Sequence, residues 1–174
     1  MGEDHRLFLA LWPPDDVRER LAALQREVGA IGRPVAPERL HLTVAFLGNA
    51  APEPAADAAA AAAENARGFV LRLDRFGHFA RSGVAWIGAT ECPEALESLH
   101  RGLRRQLRRR GLRTERRPLH PHVTLYRKAR PVRPHLGEPV EWPVDELVLA
   151  ASVTRSDGPE YHRVGAWPLP RAEA

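Results

Sequence analysis

Apolar residues recur in alternation or in short continuous runs in seven segments of the chain, which is the pattern of β-strands. The seven segments are residues 6–12, 40–47, 69–76, 83–88, 123–127, 147–153 and 161–167. A Gly/Ser turn separates the third from the fourth, and Ser156-Asp157-Gly158 separates the last two. Prolines are frequent between residues 131 and 143, and this predicts a loop there.

Three further segments carry leucine or alanine at helical spacing. Each begins beside proline, which is favoured in the first turn of a helix, and each is followed by a glycine. The first carries Val17, Leu21, Leu24 and Val28 up to Gly29, the second is the alanine-rich run 55–66, and the third carries Leu96, Leu99, Leu103 and Leu107 up to Gly111. Strands mixed with helices, without a linker between them, predict a single α+β domain over residues 1–174, built of two similar halves.

Two of the predicted strands carry the same short pattern, His41-Leu42-Thr43-Val44 and His122-Val123-Thr124-Leu125. Side chains at positions i and i+2 of a strand point to the same face, so each imidazole lies beside a hydroxyl while the apolar residues are buried. Two such strands facing one cleft would form an acid/base site without a metal. The alternative is that both histidines are simply satisfied inside a sheet.

A pair of imidazoles suits the hydrolysis or transesterification of a phosphodiester. The attacking oxygen must lose a proton and the leaving oxygen must gain one, and near neutral pH one ring of a pair can be neutral while the other is protonated. The hydroxyls of Thr43 and Thr124 can donate hydrogen bonds to the phosphate oxygens. Arg127 can add a charge-assisted contact, but it differs from Thr124 in strand parity and needs a bend or a strand end to reach the site.

The charge balance favours an anionic partner. The 174 residues include 26 Lys and Arg against 22 Asp and Glu, and every basic residue except Lys128 is arginine, whose planar fork matches phosphate oxygens. A coding bias toward arginine and alanine is an equally good explanation of the excess. The arginines of the third predicted helix lie away from its leucines and form either an RNA-facing surface or a solvated face.

The sequence offers few other groups that could carry catalysis. The single cysteine, Cys92, excludes an internal disulfide and a cysteine-based zinc site, and no activating base stands near it in sequence. His120-Pro121-His122 provides two metal ligands at most, with few carboxylates nearby and no metal-binding signature. Phosphate-binding glycine loops and nucleotide fingerprints are absent from the sequence. We therefore expect neither a metal nor a cofactor.

Three strings together resemble the 2H phosphoesterase superfamily, and within it the bacterial and archaeal RNA 2′,3′-cyclic phosphodiesterases, also called 2′-5′ RNA ligases. They are RLFLALWPP at residues 6–14, HLTVAFLG at 41–48 and PHVTL at 121–125. The similarity continues through residues 84–88, the leucine-spaced helix and residues 161–169, and so covers nearly the whole chain. It implies a bilobal 2H phosphoesterase fold, in which two pseudo-symmetric antiparallel-sheet lobes with outer helices surround a central cleft.

The resemblance also implies a reaction and a role for each site residue. The family opens a 2′,3′-cyclic phosphate at an RNA end to leave a 2′-phosphate, without metal or nucleotide. His41 would be the general acid for the departing 3′ oxygen and His122 the base that activates water, although the sequence leaves the reverse assignment open. Thr43 and Thr124 would hold phosphate oxygens, and Arg127 would contact the phosphate.

Several alternatives stay open at this point. The same chemistry serves 2′-5′ joining of RNA or hydrolysis of a small cyclic nucleotide, and a basic cleft without turnover would make an RNA-binding module. Phe46 and Tyr126 can either stack on a base or pack in the core. The acidic start of the chain and the lack of a long apolar run predict a cytoplasmic protein with no membrane segment. We expect a monomer without an obligatory protein partner.

Overall fold

The computed structural model describes residues 6–131 and 134–171, and within them strands and helices alternate along the chain. The helices are α1 (Asp15–Val28), α2 (Pro52–Glu64) and α3 (Glu94–Arg109). The strands are β1 (Arg6–Leu11), β2 (Arg33–Pro34), β3 (Leu42–Gly48), β4 (Phe69–Leu73), β5 (Arg75–Phe79), β6 (Val84–Gly88), β7 (His122–Arg127), β8 (Val140–Val144), β9 (Glu146–Arg155) and β10 (Gly158–Pro168). A short 3₁₀ helix, Pro37–Arg39, precedes β3.

In the described part of the chain the strands form three antiparallel sheets, each with a different part in the fold. Sheet A has the strand order β10-β9-β1-β3, sheet B has the order β2-β7-β6-β5, and a small third sheet pairs β4 with β8. Sheet A and sheet B meet where β3 and β7 are in contact. The α+β architecture predicted from the sequence is confirmed. The two sheets are not successive halves of the chain, because sheet A takes β1 and β3 from its start and β9 and β10 from its end.

Each helix buries one apolar stripe, as its spacing predicted. Helix α1 buries Val17, Leu21 and Leu24, and α3 buries its four evenly spaced leucines. Helix α2 buries alanines, which have no long side chains to hold two helices apart, and it packs against α3. Burial of each leucine side chain stabilises the fold by roughly 1.5–3 kcal/mol. These stripes join the inner faces of both large sheets in one hydrophobic cluster.

Helix α3 ends at the glycine that the sequence indicated. Gly111 has φ +75°, and its amide donates to the carbonyl of Arg108 at 3.0 Å. The amide of Leu112 donates to the carbonyl of Leu107, also at 3.0 Å. These two bonds form the Schellman motif, which requires the left-handed conformation that glycine adopts without strain.

The prediction of one strand over residues 69–76 is wrong, because the chain changes sheets at Asp74. Strand β4 ends at Leu73 and pairs with β8, whereas β5 begins at Arg75 and pairs with β6. The Asp74 carboxylate accepts hydrogen bonds from the amide and the hydroxyl of Thr90, at 2.8 and 2.9 Å. This side-chain anchor holds the chain at the change of direction, and an apolar run by itself does not reveal it.

The loop predicted for residues 131–143 is wrong in its last part, since β8 begins at Val140. Residues 132 and 133 of that predicted loop lie outside the described residues. Trp142 and Val144 are buried on one face of β8, while Pro143 is exposed. A central strand needs backbone amides on both of its edges, whereas β8 pairs with β4 on one edge. Strand β8 therefore tolerates a proline, which has no backbone amide.

Candidate active site

His41 is the residue before β3, and the backbone and three aromatic side chains hold its ring. Its Nδ1 lies 2.7 Å from the carbonyl oxygen of Arg39. The Trp12 ring stacks on it with 4.6 Å between centroids, and the rings of Phe8 and Tyr161 are each 5.1 Å away. Because a carbonyl only accepts hydrogen bonds, Nδ1 carries the proton in the neutral ring. The other nitrogen, Nε2, is therefore the one left for a substrate.

His122, the first residue of β7, repeats this arrangement on the other sheet. Its Nδ1 lies 2.6 Å from the carbonyl oxygen of His120. The rings of Phe79 and Trp86 lie 5.2 and 5.9 Å from the His122 ring, and the His120 ring lies at 5.2 Å. In both motifs the carbonyl two residues before the histidine selects the same tautomer, with Nε2 as the nitrogen that can take or give a proton.

The aromatic wall behind His122 depends on a glycine. Gly77 on β5 is paired with Trp86 on β6, and a side chain at Gly77 would collide with the Trp86 ring. The indole fills that space and is also covered by the guanidinium of Arg75, 5.5 Å from the ring centroid. Trp86 is thereby held in edge-to-face contact with His120, at 4.7 Å between centroids.

One small cavity between the two sheets brings all five predicted site residues together. Its volume is about 80 Å³, and the residues that line it are Val35, Arg39, His41, Thr43, His122, Thr124, Arg127 and Tyr161. Pockets that enclose a whole small-molecule ligand measure roughly 300–1,000 Å³, so this space suits a phosphate group rather than a whole nucleotide. The rest of any nucleotide must therefore lie outside the cavity.

A β-bulge resolves the strand parity of Arg127. Trp86 pairs with Thr124, but Ala85 pairs with Tyr126, so β7 has one extra residue, Leu125, at this point. The extra residue reverses the alternation of faces, and Leu125 and Tyr126 are both buried. Arg127, at the end of β7, is thereby returned to the side of Thr124 and reaches the cavity.

A buried amide supports the bulge. Gln25 on α1 is only 6 % exposed, and its Nε2 donates to the carbonyls of Val35 and Leu125 at 2.9 and 2.8 Å. The amide of Val35 also donates to the Leu125 carbonyl, at 2.9 Å. Gln25 thus connects α1 to two segments that line the cavity between the two histidines, 10 and 100 residues away along the chain.

Burial changes the acid/base properties of both histidines. It lowers the pKa of His41 to about 4. The hydrogen bond to the Arg39 carbonyl acts in the opposite direction and raises this pKa, whereas the positive charge of Arg127 and His122 lower it further. Burial likewise lowers the pKa of His122, with a smaller effect from His120. Both rings are therefore neutral at pH 7 in the substrate-free protein. A phosphate anion placed between them stabilises the protonated forms and raises both pKa values.

The predicted site residues do not include those that hold the two histidine rings. Arg39, Trp12 and Tyr161 surround His41, and His120 contacts His122 through its ring and its carbonyl. Trp12 lies within the string that carries the family resemblance, so that string was the available signal. Tyr161, on β10, likewise lies within a segment that the resemblance covers, residues 161–169, but no local pattern predicts its contact with His41.

The two aromatic residues considered for base stacking have different environments. Tyr126 is 4 % exposed, and its hydroxyl donates to the carbonyls of Gln25 and Gly29, which confirms the core-packing interpretation. Phe46 is 39 % exposed and lines a groove beside the cavity that contains the two histidines. Phe46 is therefore the one of the two that a base can reach.

Other kinds of site find little support in the described residues. Among residues 6–131 and 134–171, no three His, Cys, Asp or Glu side chains are grouped closely enough to hold a metal ion. Burial, with Glu97 nearby, raises the pKa of the Cys92 thiol, which disfavours the reactive thiolate. In the same part of the chain no helix has both the length and the apolar character that a membrane crossing needs.

Two antiparallel sheets that meet at a cleft, each supplying one His-x-Thr motif, define the class of 2H phosphoesterases. A family model described as the 2′-5′ RNA ligase superfamily matches residues 13–155, and the chain belongs to this superfamily.

Individual relatives match over nearly the whole chain. An RNA 2′,3′-cyclic phosphodiesterase of Escherichia coli is 36% identical over 174 residues, which cover 97% of this chain and 99% of the relative. An RNA 2′,3′-cyclic phosphodiesterase of Thermus thermophilus is 33% identical over 170 residues, which cover 90% of this chain and 86% of the relative. The crystal structure of E. coli LigT in apo form matches with a TM-score of 0.84 and 34% identity, over 97% of this chain and 99% of that one.

Proposed function

We propose that this protein is an RNA 2′,3′-cyclic phosphodiesterase that hydrolyses a terminal cyclic phosphate to a 2′-phosphate by two-histidine acid/base catalysis without a metal. One observation carries the proposal: His41 and His122, each with Nδ1 bound to a backbone carbonyl, line one phosphate-sized cavity together with Thr43, Thr124 and Arg127. The activity of the named relatives supports the choice of substrate.

The proposed reaction moves one proton at each histidine. His122 Nε2 takes a proton from water as the water oxygen attacks phosphorus. The bond from phosphorus to the 3′ oxygen breaks, and the protonated Nε2 of His41 gives its proton to that oxygen. The products are a 2′-phosphate and a free 3′-hydroxyl. Exchange of protons with solvent then restores a protonated His41 and a neutral His122.

The remaining polar groups of the cavity stabilise the charge of the reacting phosphate. The hydroxyls of Thr43 and Thr124 donate hydrogen bonds to its non-bridging oxygens, and Arg127 provides a charge-assisted contact. These groups lie on strands whose backbone is fixed by sheet pairing, so they need little reorganisation during the reaction. The phosphate charge also maintains the proton on His41, whose pKa is low in the empty site.

The direct test is incubation of the purified protein, in excess chelator, with a short RNA that ends in a 2′,3′-cyclic phosphate. We expect a 2′-phosphate product that the chelator does not suppress. A product joined 2′-5′ to a second RNA would instead favour ligation, and tight RNA binding without any product would favour a binding module. Inhibition by the chelator would contradict the metal-free mechanism.

Asparagine variants separate the catalytic nitrogen from the structural one. The Asn side-chain amide can replace Nδ1–H as the donor to the Arg39 or His120 carbonyl, but it has no equivalent of Nε2. His41→Asn and His122→Asn should therefore remain folded and lose on the order of 10²-fold or more in kcat, the usual scale for a general acid or base. Both variants retaining activity would eliminate the two-histidine mechanism.

A further inference from the structure

A second groove opens directly from the catalytic cavity. Its volume is about 240 Å³, and Thr43 and His122 line both spaces. From there the groove follows β3 to Phe46 and reaches α3 at Arg104. We call it the α3 groove, and its remaining lining residues are Val44, Ala45, Phe79, His100, Thr114, Glu115, Arg117, Pro118, Leu119 and His120. The two spaces therefore adjoin at Thr43 and His122.

The α3 groove contains arginines without partners. In the described part of the chain neither Arg104 nor Arg117 forms a hydrogen bond or an ion pair; the Nε of Arg104 is completely buried without an acceptor, whereas Arg117 is exposed to solvent. Arg104 differs in this from Arg101, Arg105 and Arg108 of the same helix, which are exposed to solvent. A buried donor without an acceptor is unfavourable, because it loses its hydrogen bond to water and gains none in return.

A larger groove, which shares Arg39 and Tyr161 with the cavity between the two histidines, has basic side chains that are neutralised by neighbouring groups. It measures about 460 Å³ and is lined by residues of β9 and β10. Its basic side chains have partners: Arg163 is paired with Glu146, both Arg155 and His162 contact Glu160, and Arg39 donates to the carbonyl of Pro159 at 2.9 Å. The α3 groove has one carboxylate, Glu115, among its lining residues, and no ion pair joins it to either arginine. The α3 groove is thus the more electropositive of the two.

The arginines and aromatic rings that line the α3 groove indicate what type of ligand it can bind. Arginine donors without acceptors match the oxygens of a phosphate, which they bind in a bidentate manner. The apolar wall contains Phe46, which is 39 % exposed, and Phe79, and an aromatic ring next to basic groups suits the face of a nucleobase. A phosphodiester and a base on one chain are the parts of a nucleotide within an RNA strand.

We propose that the α3 groove binds the RNA strand immediately 5′ of the cyclic end, with Arg104 and Arg117 contacting the phosphodiester that joins the last two nucleotides. This inference rests on the proposed function, because it takes the cyclic phosphate to lie between the two histidines. It goes further in assigning substrate preference: an RNA end is bound by two phosphates, whereas a mononucleoside cyclic phosphate is bound by one. The enzyme should therefore select RNA ends over small cyclic nucleotides.

Three substrates test the assignment. One is a dinucleotide with an internal phosphodiester and a terminal 2′,3′-cyclic phosphate, the second has a neutral methylphosphonate in place of the internal linkage, and the third is a mononucleoside 2′,3′-cyclic phosphate. We expect kcat/KM to be roughly 10-fold or more higher for the charged dinucleotide, the scale of a hydrogen bond to a charged group. Arg104→Gln and Arg117→Gln should reduce this preference and leave the mononucleoside rate within about 2-fold.

Arg105→Gln is the matched control, since it removes the same charge from an exposed position of the same helix. It should leave all three rates unchanged, and thermal unfolding of each variant shows whether it is folded. Arg104→Lys keeps the charge and should retain part of the preference. An equal loss on all three substrates, or no loss on any, overturns the assignment.

A binding measurement separates failure of the subsite from failure of the proposed function. If the wild-type protein hydrolyses none of the three substrates, the proposed function is wrong. The groove is then tested by the affinity of a fluorescent dinucleotide that ends in a 2′-phosphate, with and without the methylphosphonate linkage. Weaker binding of only the charged form by Arg104→Gln supports the subsite, and equal binding by wild type and variant refutes it.

Discussion

Replacement of Gln25 by leucine tests whether a buried amide on α1 positions Arg127, the arginine that we propose to contact the phosphate. Leucine fills a similar volume but cannot donate hydrogen bonds. The Leu125 carbonyl would keep the amide of Val35 as a donor, whereas the Val35 carbonyl would lose the partner that Gln25 provides. One lost bond at Leu125 costs about 1 kcal/mol, and the unpaired Val35 carbonyl costs about 1–3 kcal/mol. We expect a total loss of roughly 2–4 kcal/mol in the free energy of unfolding.

This loss should be visible by thermal or denaturant unfolding. For a chain of this size each kcal/mol lowers Tm by about 2–4 °C, so Gln25→Leu should unfold roughly 5–15 °C below wild type. Arg26→Leu is the control, since it introduces the same side chain at the next, exposed position of α1 and should change the stability by no more than about 0.5 kcal/mol. A Gln25→Leu protein as stable as wild type would refute the hydrogen-bond accounting.

Kinetics test the second half of the reasoning, that the bulge places Arg127. Below its Tm, Gln25→Leu should lose about 10-fold in kcat/KM, comparable to the loss of one charge-assisted contact in Arg127→Ala. If Gln25 acts through Arg127, the double variant should lose much less than the product of the two single effects, because the same contact cannot be removed twice. Fully multiplicative effects would show that Gln25 stabilises the fold without positioning Arg127.

Two further predictions concern pH. In the free enzyme the pKa of His41 is about 4 and that of His122 lies below its usual value, so kcat/KM should fall as pH rises through neutrality. Bound phosphate raises both pKa values, and the maximum of the kcat profile should therefore lie at higher pH than the maximum of kcat/KM. Coincident maxima in the two profiles would contradict this. Stability should fall as pH drops from 6.5 to about 4, because the unfolded chain binds a proton at His41 that the folded protein does not. The expected loss in the free energy of unfolding is about 3 kcal/mol, and urea unfolding curves recorded over this pH range measure it. The His41→Asn variant should not show this loss. An unchanged pH dependence in the variant would show that His41 is not the cause.

The family resemblance and the local patterns of the sequence were sufficient to select five residues that the structure brings to one cavity. The His-x-Thr strings identified His41, Thr43, His122 and Thr124, because a period of two places both side chains of a string on one face whatever the rest of the chain does. The leucine spacing and the closing glycine likewise predicted α3, since these signals act within one or two helical turns. Even the parity problem of Arg127 was visible in the sequence, although its solution was not.

Contacts between distant segments decided the rest. The bulge at Leu125 depends on the register of β7 against β6 and on a donor from α1, and no local pattern encodes a bond across 100 residues. The change of sheets at Asp74 and the strand that contains Pro143 were missed for the same reason. Both features depend on which strand pairs with the segment, and an apolar run in the sequence does not identify its pairing partner.

The sequence by itself determined which residues can take or give a proton, where the three helices and most of the strands form, and that the charge favours an anionic partner. The tertiary structure decided how those groups act together. It alone set the carbonyl that selects the tautomer of each histidine, the burial that lowers the pKa of His41, and the difference in environment between Arg104 and the exposed arginines of the same helix. The physical reason is that residue type and periodicity are local properties, whereas hydrogen-bond partners, desolvation and charge pairing depend on neighbours that only the folded chain brings close.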